Sequence, residues 1–155
     1  MSSRSPSPTE TGERLRVGSD EITFRVPSAA TGGALAVADV SIPAGGGPPA
    51  LHRHEPDEVY RLERGELAIY LEDDHGEVRR IRATSGTVVH IPGGREHTVR
   101  NESDTEAVAY VVYAPGTLME GFARAAADGP PSFEEVMALA ERHGIEITGP
   151  VPACG

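Results

Sequence analysis

The stretch Gly46-Gly47-Pro48-Pro49-Ala50-Leu51-His52-Arg53-His54-Glu55-Pro56-Asp57-Glu58-Val59-Tyr60-Arg61-Leu62-Glu63-Arg64-Gly65 decides how the chain is read. His52 and His54 are separated by one residue, and on an extended strand that spacing puts both imidazoles on one face. Glu58 shares their parity if the strand continues with little interruption. A further histidine, His97, follows the turn-forming Pro92-Gly93-Gly94. Three imidazoles and one carboxylate suit divalent Fe, Mn, Ni, Cu, Co or Zn better than calcium, which prefers oxygen ligands throughout. Taken singly, His52 and His54 also fit an exposed loop, and Glu58 fits a solvated acidic run with Glu55 and Asp57.

The flanking sequence reads as β structure. Leu15 and Val17, then Ile22, Phe24 and Val26, alternate with polar residues at the strand period. Residues 34–42 form a further predicted strand, ended by the loop 43–49, whose prolines and glycines cannot continue a ladder. Short strands are predicted at 59–63, 67–71, 77–82, 87–91, 97–100 and 107–113, with turns at Gly65, Asp73-Asp74-His75-Gly76 and Gly86. Many short strands with Gly/Pro turns argue for a sandwich or barrel. Beyond residue 116 the pattern becomes helical. A first helix is predicted at 118–127. Ser132, with Glu135 three residues on, caps a second that runs to about Arg142 and stops at Gly144. The chain therefore divides into a disordered tail at 1–12, a β-barrel at 13–115, and a C-terminal helical extension and tail at 116–155, the helices packed outside the β body.

Gly46-x5-His52-x-His54-x3-Glu58-x6-Gly65 resembles the first signature of the cupin superfamily, and Gly86-x5-Pro92-x-Gly94-x2-His97-x3-Asn101 resembles the second. The helical C-terminus is similar to the tail of small single-domain cupins compared with quercetin dioxygenases. The resemblance implies an all-β jelly-roll β-barrel (cupin) with a short C-terminal helical appendage and a metal held inside. Its ligands map onto His52, His54, Glu58 and His97. The cofactor implied is one divalent transition metal (Fe, Mn, Ni, Cu, Co or Zn), with octahedral positions left for water, dioxygen or substrate. A homodimer paired through edge strands is also implied, the strands near 14–26 offering an edge that needs covering. The implied activity is that of a dioxygenase or other oxygenase acting on a small enolisable or aromatic, flavonol- or polyketide-like compound. A non-redox isomerase, cyclase, lyase or decarboxylase using the metal as Lewis acid would carry the same ligands, as would a non-catalytic small-molecule-binding cupin. Fold alone does not choose among them.

Parity extends the site. If Glu58 points inward, so do Tyr60 and Leu62. Tyr60 is then a candidate catalytic hydroxyl that orients substrate or moves a proton, the alternative being a core tyrosine. Glu58 doubles as a candidate base. Leu67, Ile69, Val88, Ile91, Val99, Val108 and Val112 are expected to make the cavity greasy and to favour an uncharged or aromatic substrate. Tyr110 and Tyr113 have opposite parity, so at most one faces in. His90 fits the cavity and solvent equally; His75 reads as a solvated turn residue, His143 as a helix-end cation and Cys154 as exposed and inert.

Composition excludes several classes. With 155 residues the chain is one domain with room for one core. A net charge of −10 argues against a nucleic-acid partner. All 14 basic residues are arginine, so no lysine Schiff base can form. A single cysteine excludes an internal disulfide and a Cys-rich zinc site. No apolar run approaches the ~20 residues that span a bilayer, and the first dozen residues lack the apolar stretch of a secretory signal. The expectation is a cytoplasmic protein with a small-molecule substrate and no membrane partner.

Overall fold

The computed structural model describes residues 12–127, 129 and 132–152. The expected tail at 1–12, except Gly12, and Cys154 lie outside the described residues. Among the described residues, eleven strands and two α-helices follow one another: β1 (Glu13–Val17), β2 (Asp20–Val26), β3 (Ala36–Ile42), β4 (Ala50–Arg53), β5 (Asp57–Arg64), β6 (Leu67–Glu72), β7 (Val78–Ala83), β8 (Val88–Ile91), β9 (His97–Arg100), β10 (Ala107–Ala114), α1 (Thr117–Ala126), α2 (Phe133–Arg142) and β11 (Glu146–Pro150). They form two antiparallel sheets, β1-β2-β3-β10-β5-β8 and β11-β4-β9-β6-β7. This is the expected jelly roll, with the core between the sheets.

Strand parity explains the packing. On β10, Ala107, Ala109, Val111 and Tyr113 are buried, while Tyr110 is exposed. Opposite them β3 sets Ile42 against Ala107, Val40 against Ala109, Ala38 against Val111 and Ala36 against Tyr113. Each small side chain faces a larger one, so the layer fills without overpacking. Val108 and Val112 lie on the other face and do not line the interior, and Val88 is 59% exposed, so these three depart from the expected cavity wall. For Val108 and Val112 the reason is that residues 107–113 are apolar on both faces, and period two then gives no preference for either. Leu67, Ile69, Ile91 and Val99 are buried as expected.

The C-terminal segment departs more. The sequence reading has no strand after residue 113, yet β11 pairs with β4 and sets Ile147 opposite His52. Ser132 Oγ accepts the Glu135 N–H at 3.2 Å, as its N-cap position requires. Gly144 ends α2 at φ +84°, with Gly144 N–H on Glu141 O and Ile145 N–H on Ala140 O, a Schellman closure that aims the chain back at the sheet. Nor is α1 an outer appendage, because Met119, Phe122 and Ala123 wall the interior chamber. Glu120 locks it there. Its Oε1 accepts the Ser28 N–H at 2.7 Å and its Oε2 accepts Arg124 Nε at 2.9 Å. Arg124 in turn lies 5.8 Å from the centre of the Phe24 ring.

Candidate metal centre

The backbone brings four sequence-predicted residues together. His52 sits on β4 directly opposite His97, the first residue of β9. His54 follows the end of β4, and Glu58 is on β5, in register with Ile91 and Tyr113. The strand bearing His52 does not continue to Glu58. The chain crosses to the other sheet between Arg53 and Asp57, so the histidines come from one sheet and the carboxylate from its opposite. The loop bearing His54 and the turn before His97 are tied directly: Gly94 N–H donates to His54 O at 2.8 Å, and Gly93 N–H to Asp57 Oδ1 at 2.8 Å. A Cβ on Gly93 would lie 2.0 Å from Glu55 O, so only glycine allows this approach.

All four side chains are buried. The ligand atoms of His52, His54 and His97 lie within 4.8 Å of one another, so the three can hold a metal ion. Each ring gives Nδ1 to a nearby backbone carbonyl: His52 to Ala50 O at 2.9 Å, His54 to Pro56 O at 3.1 Å and His97 to Arg95 O at 2.8 Å. A carbonyl only accepts, so the proton is on Nδ1, and a neutral ring turns its Nε2 lone pair inward. Nε2 of His54 and of His97 stand 3.3 and 2.9 Å from Glu58 Oε2, yet both atoms are buried without a hydrogen bond. Lone pairs directed at a carboxylate oxygen repel unless a proton or a metal cation lies among them. The donor set thus fits a divalent ion.

The charges of the four groups are coupled. Burial, reinforced by His97, pulls His52 down to about 4, so it stays neutral. Burial opposes charge on Glu58, but His54 and His97 outweigh it and hold the carboxyl well below its usual range. Burial also disfavours charge on His97, and Glu58 overrides it and raises the ring above its ordinary value.

A chamber of about 90 Å³ opens beside this cluster, lined by His52, Glu58, His97, Val99, Tyr60 and Tyr113 among others. Burial, then the charge of Glu58, pushes both phenols up, so they remain hydroxyl donors. Neither hydroxyl has a partner among the described residues. Tyr113, not Tyr110, is the inward member of its pair. His90 faces solvent, its Nε2 2.7 Å from Asp57 Oδ2. His75 is exposed in the β6–β7 turn, and His143 closes α2 with Nδ1 on Leu139 O. Asn101 makes the turn beside the site, giving Nδ2 to Ile42 O and Thr105 O and accepting from Ser103.

Sequence reasoning missed Asp20, which lines the chamber from β2. Burial raises its carboxyl to about 6. The signal was present, since Asp20 has the parity of Ile22 and Phe24.

Residues 38–113 match the family pattern described as a cupin domain. Over that stretch the chain is similar to cupins. Solved structures similar to it include a Bacillus subtilis oxalate decarboxylase with Mn(II) centres (TM-score 0.63, 16% identity, covering 78% of this chain and 32% of that one). They also include the polyketide cyclase RemF from Streptomyces resistomycificus (0.57, 15%, 74% and 80%) and a predicted oxalate decarboxylase from Thermotoga maritima (0.56, 23%, 74% and 98%). At these identities the likeness is one of fold. The chain spans about a third of the Bacillus enzyme. No curated protein matches the chain in sequence.

Proposed function

We propose that this protein is a metal-dependent dioxygenase acting on a small enolisable or aromatic compound. The observation that supports it is the chamber wall. Beside the histidine cluster the wall is mostly apolar, bears two unpaired tyrosine hydroxyls, and includes no arginine. Apart from the metal and its histidines, a dicarboxylate such as oxalate would meet the carboxylates of Asp20 and Glu58 there and no arginine. A neutral enol or phenol, and apolar dioxygen, suit the lining better.

In this reading His52, His54, Glu58 and His97 hold one divalent Fe, Mn, Ni, Cu, Co or Zn ion. When bound, the metal supplies a Lewis acid and, if redox-active, an electron path between substrate and dioxygen. Glu58 is first a ligand, because its neighbours keep it a weak base. Drawn away from the histidines, its buried carboxylate becomes the base that takes a substrate hydroxyl proton. Tyr60 Oη donates to the oxygen left negative. Two copies pair along the β1 edge, and sedimentation of the purified protein checks that pairing.

The test is oxygen uptake by protein loaded separately with Fe, Mn, Ni, Cu or Co, offered flavonols and catechols. Uptake matched to substrate loss is expected. No uptake with any metal would overturn the oxygenase reading. Anaerobic turnover by the Zn-loaded protein would move it to the Lewis-acid class.

A further inference from the structure

The chamber is too small for a whole multi-ring ligand. At about 90 Å³ it falls well short of the roughly 300 Å³ at which pockets for drug-sized molecules begin. A groove of about 490 Å³ adjoins it, formed between the β1–β2 hairpin, the loop after β3, and helices α1 and α2. Val17, Asp20, Pro48 and Phe122 line both spaces, so the two adjoin at these residues, which form the neck between them. Two features of this passage are otherwise unexplained. Phe133, at the start of α2, is 54% exposed and forms part of the groove wall. Asp20 takes both its hydrogen bonds, from Ser19 Oγ at 3.0 Å and from Gly47 N–H at 3.1 Å, on Oδ1. Its Oδ2 accepts no hydrogen bond among the described residues, and Asp20 lines both spaces. The groove's arginine, Arg100, is committed to the carbonyls of Gly45, Gly47 and Pro48, so the passage offers no uncommitted cation for an anionic tail.

We propose that the protein takes a two-part ligand: an oxygen-bearing head seated in the chamber, a hydroxyl donating to Asp20 Oδ2 at the neck, and a flat apolar tail lying in the groove against Phe122 and Phe133. The inference rests on the chamber being the ligand site. It does not depend on dioxygen taking part. It assigns to α2 a part in ligand selection, with Phe133 as a specificity-determining residue outside the barrel. Asp20 separates hydroxylated ligands from bare aromatic ones.

The experiment is anaerobic calorimetric titration of Mn(II)-loaded protein with three probes: catechol, which is a head alone; 3-hydroxyflavone, a head with a bare tail; and quercetin, a head with a hydroxylated tail. Phe133→Ser should weaken both flavonols about tenfold, the loss of one aromatic contact, and leave catechol within about twofold. Asp20→Asn should weaken quercetin and leave 3-hydroxyflavone unchanged. Phe133 is exposed, so its variant keeps the parent melting temperature. The proposal is overturned if the flavonols fail to bind, if Phe133→Ser leaves them unchanged, or if it weakens catechol equally. It is also overturned if the same substitution dissociates a dimer, which would give the groove to a second copy. Tail-dependent flavonol binding without oxygen uptake would uphold this inference and overturn the dioxygenase reading.

Discussion

His97 joins the two halves of the site. It faces His52 across the β4–β9 pair and approaches Glu58 from the other sheet. His97→Ala should lower metal affinity by more than the roughly 10–100-fold typical of losing an outer-shell partner, read as metal retained after dialysis. Asn101 is the structural counterpart. Asn101→Asp would turn carboxylate lone pairs on Ile42 O and Thr105 O, and thermal melts should show the loss of several degrees that stranded buried acceptors bring. Asp20 gives a pH signature. Its carboxyl titrates near 6 when folded, above its value of 3.8 when unfolded. Its favourable contribution is therefore complete below pH 4 and lost as pH rises through 6. The melting temperature of Asp20→Asn relative to the parent should rise between pH 4 and pH 7.5. The histidine pattern was legible because strand parity is a local rule that needs no knowledge of the partner strand. Asp20 obeys the same rule, but an acid among apolar neighbours reads as a turn residue when Gly18-Ser19 precede it.

Among the elements, α1 has the larger consequence. A 3.6-residue apolar stripe tells which face of a helix is buried and leaves open what it is buried against. The helix itself was therefore legible, while its place as a chamber wall was not. Glu120→Ala should remove its lock, strand the Ser28 N–H and cost roughly 1–3 kcal/mol, measured by denaturant unfolding. Arg124 and the Ser28 N–H overcome the burial that opposes charge on Glu120 and hold its carboxyl below the ordinary 4.5. Its contribution is present above that value and fades as pH falls through the folded one, so the parent's advantage over the variant should shrink in acid. Strand β11 escaped notice because Gly149-Pro150 within it carries turn chemistry. Its ladder is also short and bulged between Ile147 and Gly149.

For the whole molecule, the deciding fact is that the candidate ligands come from both sheets. A cation held there braces one sheet against the other. Metal at about 100 times its dissociation constant should add about 2.7 kcal/mol to stability, and a chelator should remove it, as a drop in melting temperature shows. The two-sheet architecture was legible from strand count and turn spacing, but sheet membership was not, since nothing local in residues 53–57 announces a crossing. Edge protection is also a property of the whole. β7 is an outer strand, and its Arg79, Arg80 and Arg82 pair with Asp73, Glu102 and Glu66. That charge discourages stray strand addition.

The placement of β11 also sets an order in time. Strand β4 emerges early from the ribosome, but its two lateral neighbours, β9 and β11, are made much later, and β11 after both helices. Until then β4 has a bare flank. The pairing that sets Ile147 opposite His52 therefore closes last, and a metal that needs the finished site would have to wait for it.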